Sequence, residues 1–421
     1  MIHYILLSIT IILFVAFAYV KLRYPFWNIQ PVFHKYDFWR HFYSNPFAIQ
    51  KFRPMKTKFC DFNNIKTKDY LELSDTDKRD VSNILQCYYI PSEHIIHNIT
   101  VEDIEAVLTG QLETSYVSIY TESEYKALSR PGENDDIITT QKPVGVICSH
   151  YLNFYYREPA NQEKVVESHC YFIDYLSVDR NKDASTNKLI RRKLLQTHEY
   201  KQRLRNPKVL VSLIKKEGEL FDGIVPFTEF KTYTFNLRNI HFPPLPANFE
   251  VLEINSENID ILLDFLFIQK NASEISPFAF DIMTMPDVGN LMALIKRRLL
   301  YVFCLRNGDE IYGMYFIRDL KRQYENPEHD SEINGLVCSA SIANSDSLEL
   351  FYLGYLHGLR QIIKRNTKYK VMSIEAVGHN QYLLNKWLMK HTPTGISETA
   401  YYLYNMVYPR CPVDPEKCLF I

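Results

Sequence analysis

Cysteine and histidine are the residue types here best suited to metal chemistry, and their spacing gives no metal centre. The eight cysteines, Cys60, Cys87, Cys148, Cys170, Cys304, Cys338, Cys411 and Cys418, are scattered, with no Cys-x-x-Cys pair. They read as reduced, mostly buried thiols in a cytosol-facing protein. Cys411 and Cys418 suit a metal half-site or a disulfide. No second pair at ligand spacing accompanies them, so two unrelated thiols is the plainer reading. His150, His169 and the other histidines read as core or surface residues. Asp174 and Glu375 are candidate site carboxylates, or more plainly carboxylates paired at strand ends.

The elements that must position such residues belong to a chain of 421 residues, room for two or three domains. Hydrophobic residues make up 46% and charged residues 23%, a globular composition. A net charge of -1 lacks the basic excess of a general nucleic-acid binder, so no nucleic-acid partner is expected. The 30 Tyr and 26 Phe against 13 Gly, with frequent Ile, Asn and Lys, fit an A+T-rich genome such as that of a large DNA virus.

Residues Tyr4–Val20 (YILLSITIILFVAFAYV) carry no charge, and only Ser8 and Thr10 are clearly polar. Their length is at the lower end of what spans a bilayer. A cleaved signal peptide would start basic and leave through small residues; this segment starts Met-Ile-His and leaves through Val20-Lys21-Leu22-Arg23. An uncleaved, single-pass membrane anchor over residues 1–20 is expected, rather than a buried core helix. Lys21, Arg23, Lys35 and Arg40 on its C-terminal side place the body in the cytosol. The stretch that follows at once, YPFWNIQPV (24–32), is not the loose polar linker that usually leaves a membrane.

Residues 21–60 are aromatic and Pro-punctuated. Helical spacing predicts helices over Asp75–Leu85 and Thr100–Leu108, the second with Thr100 as cap and Asp103 three residues on. Residues 115–123 alternate like a strand, and 126–142 read as a polar loop. Residues 144–156 and 169–178 read as a hairpin, followed by a helix over about Ser185–Leu204 and a strand over 209–215. The Pro-rich segment 241–251 is the best boundary. Past it come a helix at 256–270, strands at 301–305 and 311–317 joined by a turn at Asn307-Gly308-Asp309, a strand at 333–342, a helix at 347–365 and a strand at 371–376. Strands, helix, strand recur. This predicts an internal duplication of an α/β (α+β) unit, with halves at 61–240 and 241–421.

Two motifs and the tail carry a family resemblance. YPFWNIQPV resembles the Tyr-x-Phe-Trp-x-Thr-Gln-Pro-Val motif near the start of the N-myristoyltransferase catalytic domain, matching at Tyr24, Phe26, Trp27, Gln30, Pro31 and Val32. YYLYN (401–405) is identical to a motif near that family's C-terminus, and PEKCLFI resembles its short apolar tail. Order and spacing fit over residues 24–421. The resemblance implies two acetyltransferase-like (GNAT) halves related by a pseudo-twofold, preceded here by one transmembrane helix. The first half would bind myristoyl-CoA or another acyl-CoA, and the second would contribute most of a peptide site. The implied reaction passes a fatty acyl group from the thioester to an N-terminal glycine amine of a peptide or protein acceptor.

A thioester is already activated, so this chemistry calls for a held carbonyl, oxyanion donors and a base, and for no protein nucleophile. By the resemblance, the donors are the N–H groups of Tyr175 and Leu176 in Asp174-Tyr175-Leu176-Ser177-Val178, where the family has Asn-Phe-Leu-x-Val. The base is the C-terminal carboxylate, here Ile421, in a tail that Leu419 and Phe420 suit to burial. Tyr24, Phe26, Trp27 and Val178 would line the cofactor. Arg180 and Lys182 would meet the pyrophosphate, with Ser185 and Thr186 at the N-terminus of the next helix. Asp183 is unwelcome beside phosphate, and Ser185 or Thr186 also reads as a simple cap. On the substrate side the carry-over gives Tyr233, Asn380, Gly395 and Tyr402.

That side departs from the family. Its Gly-x-Gly-Asp-Gly is here Thr392-Pro393-Thr394-Gly395-Ile396-Ser397, and its Tyr-Trp-His-Arg keeps Tyr233 without His or Arg. Two functions follow: a membrane-anchored acyltransferase with a glycine or altered amine acceptor, or a catalytically inactive acyl-CoA- or lipid-binding membrane protein. An acetyltransferase using a short-chain CoA is a third.

Overall fold

The computed structural model describes residues 2–43, 45–90, 92, 95–128, 136–159, 161–238, 240–272, 278–324 and 333–421. Helix α1 (Ile2–Arg23) has no buried residue. Among the described residues it is the one helix long and apolar enough to cross a membrane. A helix apolar all round belongs in a core or a bilayer, and no core surrounds this one. Residues 24–60 then run back over the body through 3-10 turns at Trp27–Ile29 and Phe38–Phe42 and strand β1 (Phe47–Ala48). Gly223, at φ +86°, lies so close to the Tyr24 ring that a Cβ would come within 2.5 Å of it; both conditions call for glycine.

The first half continues with β2 (Ile65–Asp69), α2 (Asp75–Tyr88), β3 (Ile95–His97), α3 (Val101–Leu108), β4 (Tyr116–Leu128), β5 (Asp136–Glu158), β6 (Asn161–Val178), α4 (Ala184–Arg205), β7 (Val211–Glu217) and β8 (Thr228–Asn236). Helix α3 starts at the expected capping box: the Asp103 N–H donates to Thr100 Oγ1 at 3.3 Å and the Thr100 N–H to Asp103 Oδ2 at 3.1 Å. The polar run at 126–142 is not simply a loop. β4 and β5 pair from Tyr116↔Ser149 out to Leu128↔Asp136, and residues 129–135 lie outside the described residues. Ladder hydrogen bonds use only backbone, so a hairpin arm reaching past the core needs no apolar alternation.

The second half comprises β9 (Glu250–Ile254), α5 (Ile259–Lys270), β10 (Ile282–Met285), α6 (Val288–Lys296), β11 (Leu300–Asn307), β12 (Glu310–Tyr324), β13 (Ile333–Ala343), α7 (Leu348–Arg365), β14 (Tyr369–Glu375), α8 (Asn380–Leu388), β15 (Gly395–Tyr404), β16 (Met406–Val407) and β17 (Cys418–Phe420). One sheet runs β17-β10-β5-β6-β7-β15-β8-β14-β13-β12-β11-β9. The halves exchange strands: β15 inserts between β7 and β8, β10 pairs with β5, and β3 pairs with β12.

The duplication is visible in register. β5–β6–α4–β7 recurs as β12–β13–α7–β14, an antiparallel pair, a helix and a parallel strand. The β6–β7 ladder runs from Cys170↔Val211 to Ile173↔Ile214, after which β6 continues to Val178 paired with β5 and no longer with β7. The β13–β14 ladder ends at Cys338↔Ile374, and β13 continues to Ala343. Each half has a bulge just past its last parallel pair, where the register skips Tyr175 or Leu176 in β6 and Ser339 in β13. Helix α7 lies close on its strands because of Gly354, where a Cβ would meet the Tyr315 hydroxyl at 2.5 Å. Phe303, Tyr315, Tyr355 and Trp387 fill the core beneath it; burying a ring such as Phe303 contributes about 1.5–3 kcal/mol.

Candidate functional site

The two aromatic motifs meet in space. Val32 bridges to Tyr404, the Tyr404 hydroxyl donates to Gln30 Oε1 at 2.7 Å, and the Asn405 N–H donates to Pro31 O at 2.6 Å. Asn405, held at φ +64°, donates its amide to Gln50 O and Leu210 O and accepts from the Gln50 N–H. This fastens the segment after α1 along the outer wall of the first half. Phe26 is buried against Phe59, with the Arg192 guanidinium over its ring. Trp27 packs on Phe221 at 4.9 Å, and Phe221 on Tyr402 at 5.0 Å. Phe26, Trp27 and Tyr402 are thus gathered around α4 and β7, with Tyr24 set beside them against Tyr36 and Gly223, whereas Tyr402 was expected on the acceptor side.

Where β6 parts from β7, Tyr175 adopts φ +58°. A left-handed conformation costs a non-glycine residue about 1–2 kcal/mol, and it turns the bulge out of the ladder. The Tyr175 N–H does not point into an empty seat. It donates to Asp174 Oδ1 at 2.7 Å, and the same oxygen accepts from the Tyr89 hydroxyl at 2.7 Å. Burial, then Asp174, pushes the Tyr89 phenol well above its ordinary pKa. Leu176 O accepts from Arg191 Nη1 at 3.2 Å, and Val178 is fully buried beneath α4.

The N-terminus of α4 is filled in the same way. Asp183 caps it, accepting from the N–H groups of Ser185 and Thr186, both at 3.0 Å. Hydrogen bonds from Ser185 and Thr186 hold its carboxyl well below the usual range. Lys182 is paired with Glu122, and Arg180 reaches Ser92 O at 3.4 Å. Two further cations face this mouth, and the sequence reading missed both. Burial, then Arg180, lowers the Arg191 pKa; burial, then Arg191, lowers that of Lys216. The signal available was position alone: Arg191 lies in the second turn of α4 and Lys216 near the C-terminal end of β7, past its ladder with β6.

The tail enters between the halves. β17 pairs in parallel with β10 (Ile282↔Cys418 to Thr284↔Phe420), and the Ile421 N–H donates to Thr284 O at 3.1 Å. Ile421 is buried with Leu419, Met283, Phe316 and Ile342. Phe420 stacks on Tyr401 at 4.0 Å, and the Lys215 ammonium lies 5.7 Å from the Tyr401 ring on its way to an ion pair with Glu375. Burial works against that ammonium, but Glu375, Tyr401 and Glu217 outweigh it and its pKa rises. Glu375 is the paired strand-end carboxylate that the plainer reading expected, and it joins the ends of β7 and β14.

The remaining acceptor-side residues lie apart. Tyr233 and Gly395 lie one register step apart across β8 and β15, Tyr233 opposite Ile396 and Gly395 opposite Thr234, with Gly395 exposed. Asn380 is fully buried, its amide donating to Cys338 O and Glu375 O; it braces the strand end that carries Glu375. Cys411 and Cys418 are free thiols. Among the described residues no group of three or more His, Cys, Asp or Glu could hold a metal ion.

An apolar N-terminal helix followed by two GNAT-like halves defines the fold. Solved structures similar to it include N-myristoyltransferases. The chain is similar to Saccharomyces cerevisiae N-myristoyltransferase with bound myristoyl-CoA, at TM-score 0.64 and 12% identity over 91% of this chain and 93% of that one. A structure of the yeast enzyme with myristoyl-CoA and inhibitors matches at TM-score 0.63 and 14% identity over 94% and 96%. At these identities the likeness is one of fold. No family model and no curated protein matches the sequence.

Proposed function

We propose that this chain is a membrane-anchored, N-myristoyltransferase-like acyltransferase that takes an acyl-CoA into the split between β6 and β7. The acyl group would pass to an amine of a peptide or protein. α1 would hold the body on the cytosolic side of a membrane. The observation that carries the reading is the bulge at Tyr175, a strained left-handed residue kept where the two strands part.

In this scheme the amine nitrogen attacks the thioester carbon. A C–N bond forms, and the carbonyl electrons move to oxygen under the N–H groups of Tyr175 and Leu176. The Ile421 carboxylate takes the ammonium proton beforehand. Collapse expels the CoA thiolate, which takes the remaining extra proton from the acylated nitrogen, directly or through water, and leaves as the thiol, while the Ile421 carboxyl returns its proton to solvent. Tyr24, Phe26, Trp27 and Val178 form the wall of the acyl-CoA site. Arg180 and Lys182 would meet the pyrophosphate with the N–H groups of Ser185 and Thr186, joined by Arg191 and Lys216. Tyr233, Asn380 and Gly395 stand as the acceptor-side assignment, Asn380 acting through Glu375, while Tyr402 joins the Trp27–Phe221 wall of the acyl-CoA side.

One observation favours the second reading, an inactive acyl-CoA- or lipid-binding protein. A carboxylate already occupies each anion seat, Asp174 at the Tyr175 N–H and Asp183 at the α4 N-terminus. The test is to incubate the full chain in detergent with myristoyl-CoA and N-terminal-glycine peptides and follow CoA release. Release that requires peptide and disappears when residues are added after Ile421 supports the transferase. Saturable acyl-CoA binding without release selects the binding protein. Absence of both defeats the two readings together.

A further inference from the structure

We propose that residues 36–43 and 45–56 form an interfacial platform that lies in the headgroup layer of an anionic membrane, beside the exit of α1. The proposal rests on the reading of α1 as a membrane span. The turn at Phe38–Phe42 directs Phe38, Trp39 and Phe42 into solvent, 62%, 77% and 68% exposed. Their rings touch one another, Phe38 to Phe42 at 5.0 Å, Phe38 to Trp39 at 6.1 Å and Trp39 to Phe42 at 6.4 Å. Tyr43, Phe52 and Met55 are exposed in the same segment. A contiguous patch of large rings on a soluble surface marks an interaction site.

The neighbourhood of α1 says what covers it. Tyr24, the first residue after the helix, stacks on Tyr36 at 6.1 Å, and the aromatic turn begins two residues further on. A helix entering a bilayer at Arg23 therefore brings Phe38, Trp39 and Phe42 to the bilayer surface. Charge agrees. Between residues 33 and 58 the cations are Lys35, Arg40, Lys51, Arg53, Lys56 and Lys58, and the one acid, Asp37, is paired with Arg40 at 2.6 Å. Indole and phenyl rings at headgroup depth with a basic flank match an anionic lipid surface. A protein partner would suit the rings but gives no reason for their place beside the helix exit.

The chain has three tryptophans: Trp387 is fully buried, Trp27 is half-buried against Phe221, and Trp39 is exposed. The experiment reconstitutes the full chain and its Trp39→Phe variant into phosphatidylcholine vesicles with brominated acyl chains, with and without phosphatidylserine. The expected result is quenching of tryptophan emission that is mostly lost in Trp39→Phe, increases with phosphatidylserine and declines as salt is added. If the protein floats with the vesicles and the two chains quench alike, the anchor stands and the platform is overturned. A concentration-dependent increase in particle size under those conditions would assign the patch to a second copy. If the full chain does not float with vesicles, the anchor reading fails and the platform with it.

Discussion

Tyr404 donates its hydroxyl to Gln30 Oε1 at 2.7 Å across 374 positions of sequence. Both side chains are buried, so neither atom can turn to water if the other is removed. Gln30→Ala and Tyr404→Phe should each cost about 1–3 kcal/mol, the penalty for an unpaired buried polar atom. The double variant should cost less than their sum. Urea unfolding of the four proteins measures this coupling; strictly additive losses would mean that the bond contributes nothing beyond packing.

Glu199 lines the small cavity beside that contact, with Gln30, Arg203 and Tyr404. It is buried. Burial, only partly opposed by the Ser212 hydroxyl and then by Arg203, raises its pKa from 4.5 to about 7. Between those values the folded chain holds a proton that the unfolded chain has released. Stability from this group is therefore full below pH 4.5 and is lost as pH rises to 7. The loss is about 3 kcal/mol by pH 8. Glu199→Gln keeps the shape without the charge. It should match wild type near pH 4.5 and exceed it by up to that amount at pH 8, read from urea midpoints at the two pH values. An equal difference at both would show that the carboxyl does not titrate in this window.

Long, strongly periodic elements were legible in the sequence: α3 from its Thr100–Asp103 capping box, α4, the β5–β6 hairpin, and the β11–β12 turn at Gly308. The exchanged strands were not. β8, β10 and β15 are defined by partners in the other half, and nothing local marks such pairings. The assignment of Tyr175 and Leu176 to a special place came from resemblance, because a left-handed tyrosine leaves no trace in composition. Asp174 and Asp183 were visible as residues. That each fills the seat beside it depends on one rotamer and a bond of 2.7–3.0 Å, which sequence does not carry.

Asp183 gives a test of the phosphate seat. Asp183→Ser keeps an oxygen that can accept from the α4 N–H groups, because serine is as good a cap as aspartate. It removes the negative charge from the mouth that Arg180, Arg191 and Lys216 share. Affinity for myristoyl-CoA, measured by titration calorimetry, should rise about two- to fivefold at low salt, with the gain shrinking as salt is added. An unchanged affinity would place the CoA phosphates elsewhere.

Asp174 tests the oxyanion seat. Its carboxylate holds the Tyr175 N–H that the proposed reaction needs, and a developing oxyanion would be repelled by the charge beside it. Asp174→Asn removes that charge while keeping an oxygen for the Tyr89 hydroxyl. Asp174→Ala also frees the N–H. If the Tyr175 donor serves the transition state, kcat for peptide-dependent CoA release should rise at least ~10-fold in Asp174→Ala, and less in Asp174→Asn, with little change in KM, since one oxyanion donor is typically worth ~100-fold or more. A KM effect alone would mean that residue 174 shapes ground-state binding. A fall in kcat in both variants would reverse the assignment and make the carboxylate a participant, with the Tyr89 hydroxyl at 2.7 Å as its partner in proton transfer.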